Sequence, residues 1–124
     1  MPKKIKIRQK KILIVEDEKP ISQTLQLKLT NYGFDSLCAT DGDEAIALLE
    51  KQIFNLVLLD LIMPNKDGFE VLRFIKKKIP VYVLTNLSQE EDAEICKNLG
   101  AQRFFVKSET SLNEVVKHIN ELFT

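Results

Sequence analysis

The stretch LVLLDLIMPNKDG, Leu56–Gly68, carries the reading of this chain. Four apolar residues, Leu56 to Leu59, have the composition of a short strand buried on both faces. Asp60 comes next, with Met63-Pro64 and the turn Lys66-Asp67-Gly68 close behind. A carboxylate at the end of an apolar strand is costly unless something pairs with it. The rest of the sequence has to supply that partner.

Outward from this segment the same kind of run recurs. KILIV (11–15), PVYVL (80–84) and RFFV (103–106) read as strands, and the more polar DSLCA (35–39) reads as an edge strand. Helical patterns separate them. PISQTLQLKLTNYG (20–33) places Ile21, Leu25, Leu29 and Tyr32 at helical spacing, with Pro20 in the first turn and Gly33 at the C-terminal cap. DGDEAIALLEK (41–51), DGFEVLRFIKKK (67–78) and SQEEDAEICKNLG (88–100) follow. The last helix, Leu112–Phe123, sets Leu112, Val115, Val116, Ile119, Leu122 and Phe123 on one face. Asp41/Glu44, Asp67/Glu70, Ser88/Glu91 and Ser111/Glu114 all have capping-box spacing. The acids of EED and the bases of KKK are therefore helix ends that complement the helix dipole, not binding patches.

Five short β–α repeats mean parallel strands with right-handed crossovers and helices on both faces. The expected fold is a doubly wound α/β sandwich, a flavodoxin-like (βα)5 domain with a five-stranded parallel sheet. In such sheets ligands bind beyond the carboxyl ends of the strands.

The 124 residues suit one domain, and the formal net charge of zero points to neither nucleic acid nor membrane. The expected organisation is a basic lead over 1–10, read as a solvated tail, and a domain over 11–124. No apolar segment follows the lead, so no signal peptide is expected, and no run reaches membrane-spanning length. The expected location is the cytoplasm. One histidine, His118, and two distant cysteines, Cys38 and Cys96, argue against zinc and against a disulfide framework. His118 is expected in solvent, and Cys96 is expected to be inert.

The polar residues gather at strand ends. The first strand runs into Glu16 and Asp17, the third into Asp60, the fourth into Thr85 and the fifth into Lys107. Only the polar second strand lacks such a residue. The order 2-1-3-4-5 accounts for this, since strands 1, 3, 4 and 5 are then contiguous. Three carboxylates side by side call for a cation, and an all-oxygen donor set suits Mg²⁺. An ammonium and a hydroxyl across from a metal would cradle a phosphoryl group, with Asp60 placed to attack phosphorus.

At VEDE, LLDLIMPNKDG, VLT and GAQRFFVK the chain resembles the receiver domain of two-component response regulators, of the chemotaxis-regulator type. The resemblance implies that Asp60 is the phosphoacceptor. It implies Mg²⁺ ligands in Asp17, Asp60 and the backbone carbonyl of Ile62, with Glu16 acting through water or from behind. It implies that Thr85 and Lys107 bind the phosphoryl group and that Thr85 and Phe104 switch together. The phosphate would come from a histidine kinase or phosphotransfer protein. An effector or a second copy would read the surface of the fourth helix, fifth strand and fifth helix. The domain would catalyse only its own phosphorylation and dephosphorylation.

Three positions depart from the family's habit. Asn86 stands where a small residue is usual, and Ser108 stands where proline is usual. Phe104 has no hydroxyl. Without proline, the Lys107–Ser108 bond is expected to be trans. Other classes fit less well. An aspartyl phosphatase would place a second acid two residues after the first, where this chain has Ile62, and no P-loop is present. A receiver that only binds partners would have no need of Asp17, Asp60, Thr85 and Lys107 together.

Overall fold

A computed structural model describes residues 9–124. Of the basic lead only Gln9 and Lys10 fall within it; Lys3, Lys4, Lys6 and Arg8 lie outside the described residues. Strands β1 (Lys11–Val15), β2 (Asp35–Ala39), β3 (Leu56–Leu59), β4 (Val81–Thr85) and β5 (Ala101–Val106) alternate with helices α1 (Lys19–Asn31), α2 (Gly42–Lys51), α3 (Gly68–Ile75), α4 (Glu90–Asn98) and α5 (Leu112–Leu122). All strand pairs are parallel and the order is β2-β1-β3-β4-β5. No helix among the described residues is long and apolar enough to cross a membrane.

Apart from Lys11 and Thr85 at their ends, the central strands β1, β3 and β4 are built of apolar and aromatic residues because both faces of the sheet are covered. Leu13, Val15, Val57, Leu59 and Val83 point to one side and meet Ala45 of α2, Val71, Leu72 and Ile75 of α3 and Cys96 of α4. Ile12, Ile14, Leu56, Leu58, Tyr82 and Leu84 point to the other and meet Leu25 and Leu29 of α1 and Val115, Val116 and Ile119 of α5. The pleat thus sorts neighbouring residues into two cores. Both cysteines are free.

Local chemistry sets most helix ends. Asp41, Asp67 and Ser111 are the N-caps of α2, α3 and α5, and each accepts a hydrogen bond from the backbone N–H three residues on. Gly33 and Gly100 follow α1 and α4 with φ of 88° and 108°, the left-handed conformation that a β-carbon disfavours.

Four expectations need correction. Ser88 does not cap α4: the β4–α4 loop takes one residue more, Gln89 is the N-cap without a side-chain bond, and the first-turn acids Glu90, Glu91 and Asp92 meet the dipole directly. The helix expected to reach Lys78 stops at Ile75, where Lys76 and Lys77 turn left-handed so that the chain can enter β4 past Pro80. The fifth strand starts two residues before Arg103, at Ala101, with a register shift opposite Val81/Tyr82. His118 is half-buried, not solvated: its ring lies 5.5 Å from that of Phe105, and Nδ1 is 3.2 Å from Glu121 Oε1.

Candidate functional site

Parallel strands bring all their carboxyl ends to one edge of the sheet. β1 and β3 are neighbours, with Val15 paired to Leu59, so the residues after them, Glu16 and Asp60, stand side by side. The Asp60 amide donates to Val15 O at 3.0 Å and the Glu16 amide to Ala39 O at 2.9 Å, which extends the ladder to both acids. Lys107 follows β5, and its amide donates to Thr85 O at 2.7 Å. Its bond to Ser108 is trans, as expected.

The Lys107 ammonium is the partner that Asp60 requires. Nζ lies 3.0 Å from Asp60 Oδ2, 2.8 Å from Glu16 Oε1 and 3.1 Å from Glu18 Oε2. Asp60 and Glu16 are nearly closed to solvent, at 4% and 2% exposure. The other Asp60 oxygen, Oδ1, accepts from the Ile62 amide at 3.2 Å. Burial pushes the Glu16 carboxyl above its ordinary value, against the pull of its hydrogen bond from Lys107. Burial also works against the Lys107 charge, but its bonds to Glu16 and Asp60 prevail and raise its pKa.

Beside this pair opens a cavity of about 250 Å³ lined by Asp17, Glu18, Asp60, Ile62 and Asn86. Asp17 is exposed, while carboxylate oxygens of Glu16, Asp17 and Asp60 lie within 4.8 Å of one another. Oxygens on opposite sides of an octahedral Mg²⁺ stand about 4.1 Å apart, twice the metal–oxygen distance. The all-oxygen donor set suits a hard divalent cation in its chemistry, and its oxygens are close to that spacing. Four carboxylates face one ammonium here, so the site carries an excess of negative charge that a cation would relieve.

The expected residues do not all share the cavity. Asp17, Asp60 and Ile62 line it, and Glu16 and Lys107 stand directly behind. Thr85 is fully buried, and its Oγ1 accepts a long bond, 3.4 Å, from the Leu87 amide. Phe104 is half-buried two residues back on the same face of the sheet, since Val83 pairs with Phe104 and Thr85 with Val106. It lines a separate groove against Ala93, Glu94 and Lys97 of α4. Asn86 stands at the cavity wall.

Glu18 was not legible as a site residue. It is the N-cap of α1 but makes no side-chain cap bond, and its carboxylate reaches Lys107 across 89 residues of sequence. One signal was present: glutamate in a place where Ser, Thr, Asp or Asn caps better. Gly68 also has more than a turn to make, because a β-carbon there would meet the backbone of Asp60 and Leu61.

The same architecture recurs among solved structures. The receiver domain of Francisella response regulator 1452 is 28% identical, with a TM-score of 0.85 over 93% of this chain and 97% of that one. The phosphorylated cyanobacterial phytochrome response regulator RcpA is 32% identical, with a TM-score of 0.80 over 93% and 91%. The BeF3-activated receiver domain of Klebsiella pneumoniae RstA is 25% identical, with a TM-score of 0.81 over 90% and 96%. The family model for the response regulator receiver domain matches residues 12–120. The chain belongs to the family of two-component response regulator receiver domains.

Proposed function

We propose that this domain takes a phosphoryl group from a histidine kinase or phosphotransfer protein onto Asp60 and switches a partner-binding surface in response. The observation that carries this is the state of Asp60. It is a buried carboxylate, held from one side by the Lys107 ammonium and from the other by the Ile62 amide, at the wall of an acidic cavity. An Asp60 oxygen attacks phosphorus of a phosphoimidazole. The P–N bond breaks with its electron pair going to the imidazole, and a P–O bond forms, giving an acyl phosphate. Lys107 then pairs with a phosphoryl oxygen.

Asp17 and Asp60 are the carboxylates placed to hold Mg²⁺, with the Ile62 carbonyl as the third protein ligand and Glu16 behind them. When bound, the ion supplies positive charge against the phosphoryl oxygens. Thr85 is the group placed to turn towards the adduct. Its present bond to the Leu87 amide is long, so little is lost in breaking it. Movement there frees space along β4 and β5 towards Phe104, so the surface of α4, β5 and α5 is the one that changes. An effector or a second copy binds that surface. The domain acts on no separate substrate, and it works in the cytoplasm, where its kinase presents the phosphohistidine.

Acetyl phosphate with Mg²⁺, followed by intact mass, tests this reading. The parent takes up one phosphoryl group and Asp60→Asn takes up none. Sustained turnover of the donor would instead mark a phosphatase, and neither adduct nor turnover would mark a module that only binds partners.

A further inference from the structure

Three carboxylates surround the Lys107 ammonium: Glu16 at 2.8 Å, Asp60 at 3.0 Å and Glu18 at 3.1 Å. A phosphoryl oxygen arriving on Asp60 competes for this ammonium with the carboxylates already around it. The partners differ in how cheaply they leave. The Glu16 and Asp60 side chains are 3% and 5% exposed, whereas that of Glu18 is 56% exposed. Water can take over the bonds of Glu18, whereas Glu16 left unpaired would meet the full cost of desolvation, and Asp60 carries the phosphoryl group itself.

We propose that Glu18 is a positioning residue, bonded to Lys107 in the resting state and displaced from it when a phosphoryl oxygen arrives at Asp60. This rests on the reading of Asp60 as phosphoacceptor. The position supports it. Glu18 forgoes a side-chain cap on α1, and its own amide donates to Glu16 Oε2 at 3.1 Å, which holds its backbone against the buried acid. It lines the cavity mouth together with Asp17, Asp60, Ile62 and Asn86. The resting bond ties the start of α1 to the loop after β5, and displacement unties them.

A contact made only in the resting state opposes anything that favours the other state. Removing it makes a phosphoryl mimic bind more tightly. The test is titration of the full chain with beryllofluoride in the presence of Mg²⁺, for the parent, Glu18→Gln and Glu18→Asp. Loss of one half-exposed ion pair corresponds to a tightening of about two- to fivefold in Glu18→Gln. Glu18→Asp keeps the charge but shortens the reach by one methylene, so it tightens as Glu18→Gln does. Any effect of an aspartate cap on α1 is the same in both states and cancels. An aspartate variant that binds like the parent, with only the glutamine variant tighter, would mean long-range charge repulsion and overturn the proposal. Unchanged affinity in both variants would overturn it too. A parent that binds no beryllofluoride would sink the phosphoacceptor reading, and the proposal with it.

Discussion

A β-carbon on Gly68 would stand 2.3 Å from the carbonyl oxygen of Asp60. The first turn of α3 is thus built directly against the peptide that carries the candidate phosphoacceptor, and the Gly68 amide donates to Leu61 O at 3.1 Å in the same turn. Space, not a left-handed backbone, calls for glycine here. Gly68→Ala is expected to lower stability by about 1–3 kcal/mol, the ordinary cost of overpacking, and to slow adduct formation by moving Asp60. Urea unfolding and intact mass after acetyl phosphate check the two parts; a variant matching the parent in both would show that the turn gives way freely.

Removing Lys107 leaves Glu16 and Asp60 buried without a cation. Loss of one partner of a buried ion pair costs about 3–5 kcal/mol. Lys107→Met is therefore expected to unfold at much lower urea than the parent, with part of the loss restored by Mg²⁺. An unchanged midpoint without Mg²⁺ would contradict the pairing described here.

The opposite sign is expected at Asp17. It is exposed and adds one more like charge to the cluster. Asp17→Asn should be at least as stable as the parent without Mg²⁺, because repulsion is relieved, and should lose the stabilisation that Mg²⁺ gives the parent. Thermal melts with and without Mg²⁺ measure both, and a clear drop in the metal-free melt counts against it.

The aspartyl phosphate is expected to be long-lived. Ile62 lines the cavity and offers no side chain that could orient an attacking water. Leu87 packs against the core beneath the sheet, and Asn86 stands at the mouth. Ile62→Asn should therefore shorten the lifetime at neutral pH, whereas Leu87→Val should leave it close to the parent's. Decay of the parent within seconds would defeat this.

Burial, followed by the nearby charge of Asp92, pushes the Cys96 thiol up to about 11 from 9.0. The folded state then holds this proton more tightly than the unfolded chain does. Its contribution is fully present below about pH 9 and is lost as pH rises towards about 11, because the unfolded thiol ionises first. Urea midpoints over that window should fall less steeply for Cys96→Ala than for the parent. Parallel slopes would show that Cys96 does not take part.

Much of the fold was legible because it rests on local chemistry. Apolar runs of strand length, caps at Asp41, Asp67 and Ser111, and Gly33 and Gly100 after helices each act within a few residues. Where local signals competed, the reading slipped. Ser88 had the spacing of a cap, but the loop needed one more residue. The lysines at 76–78 had helical neighbours, but the return to β4 forced two of them left-handed.

The sequence by itself determined the five β–α repeats and the polar residue at the end of four strands. Those follow from periodicity and from the cost of burying charge, and they were enough to put Asp17, Asp60 and Lys107 at one edge. Tertiary structure alone decided which acids share the lysine. Glu18 and Lys107 are 89 positions apart, and nothing local in the sequence records their contact. It exists because β1 lies inside the sheet while β5 closes its edge, and because a long lysine stem reaches back across the strands between them. The same packing buried Thr85 and laid His118 on Phe105. Side-chain direction and reach are set by the neighbours that surround a residue, and those neighbours come from every part of the chain.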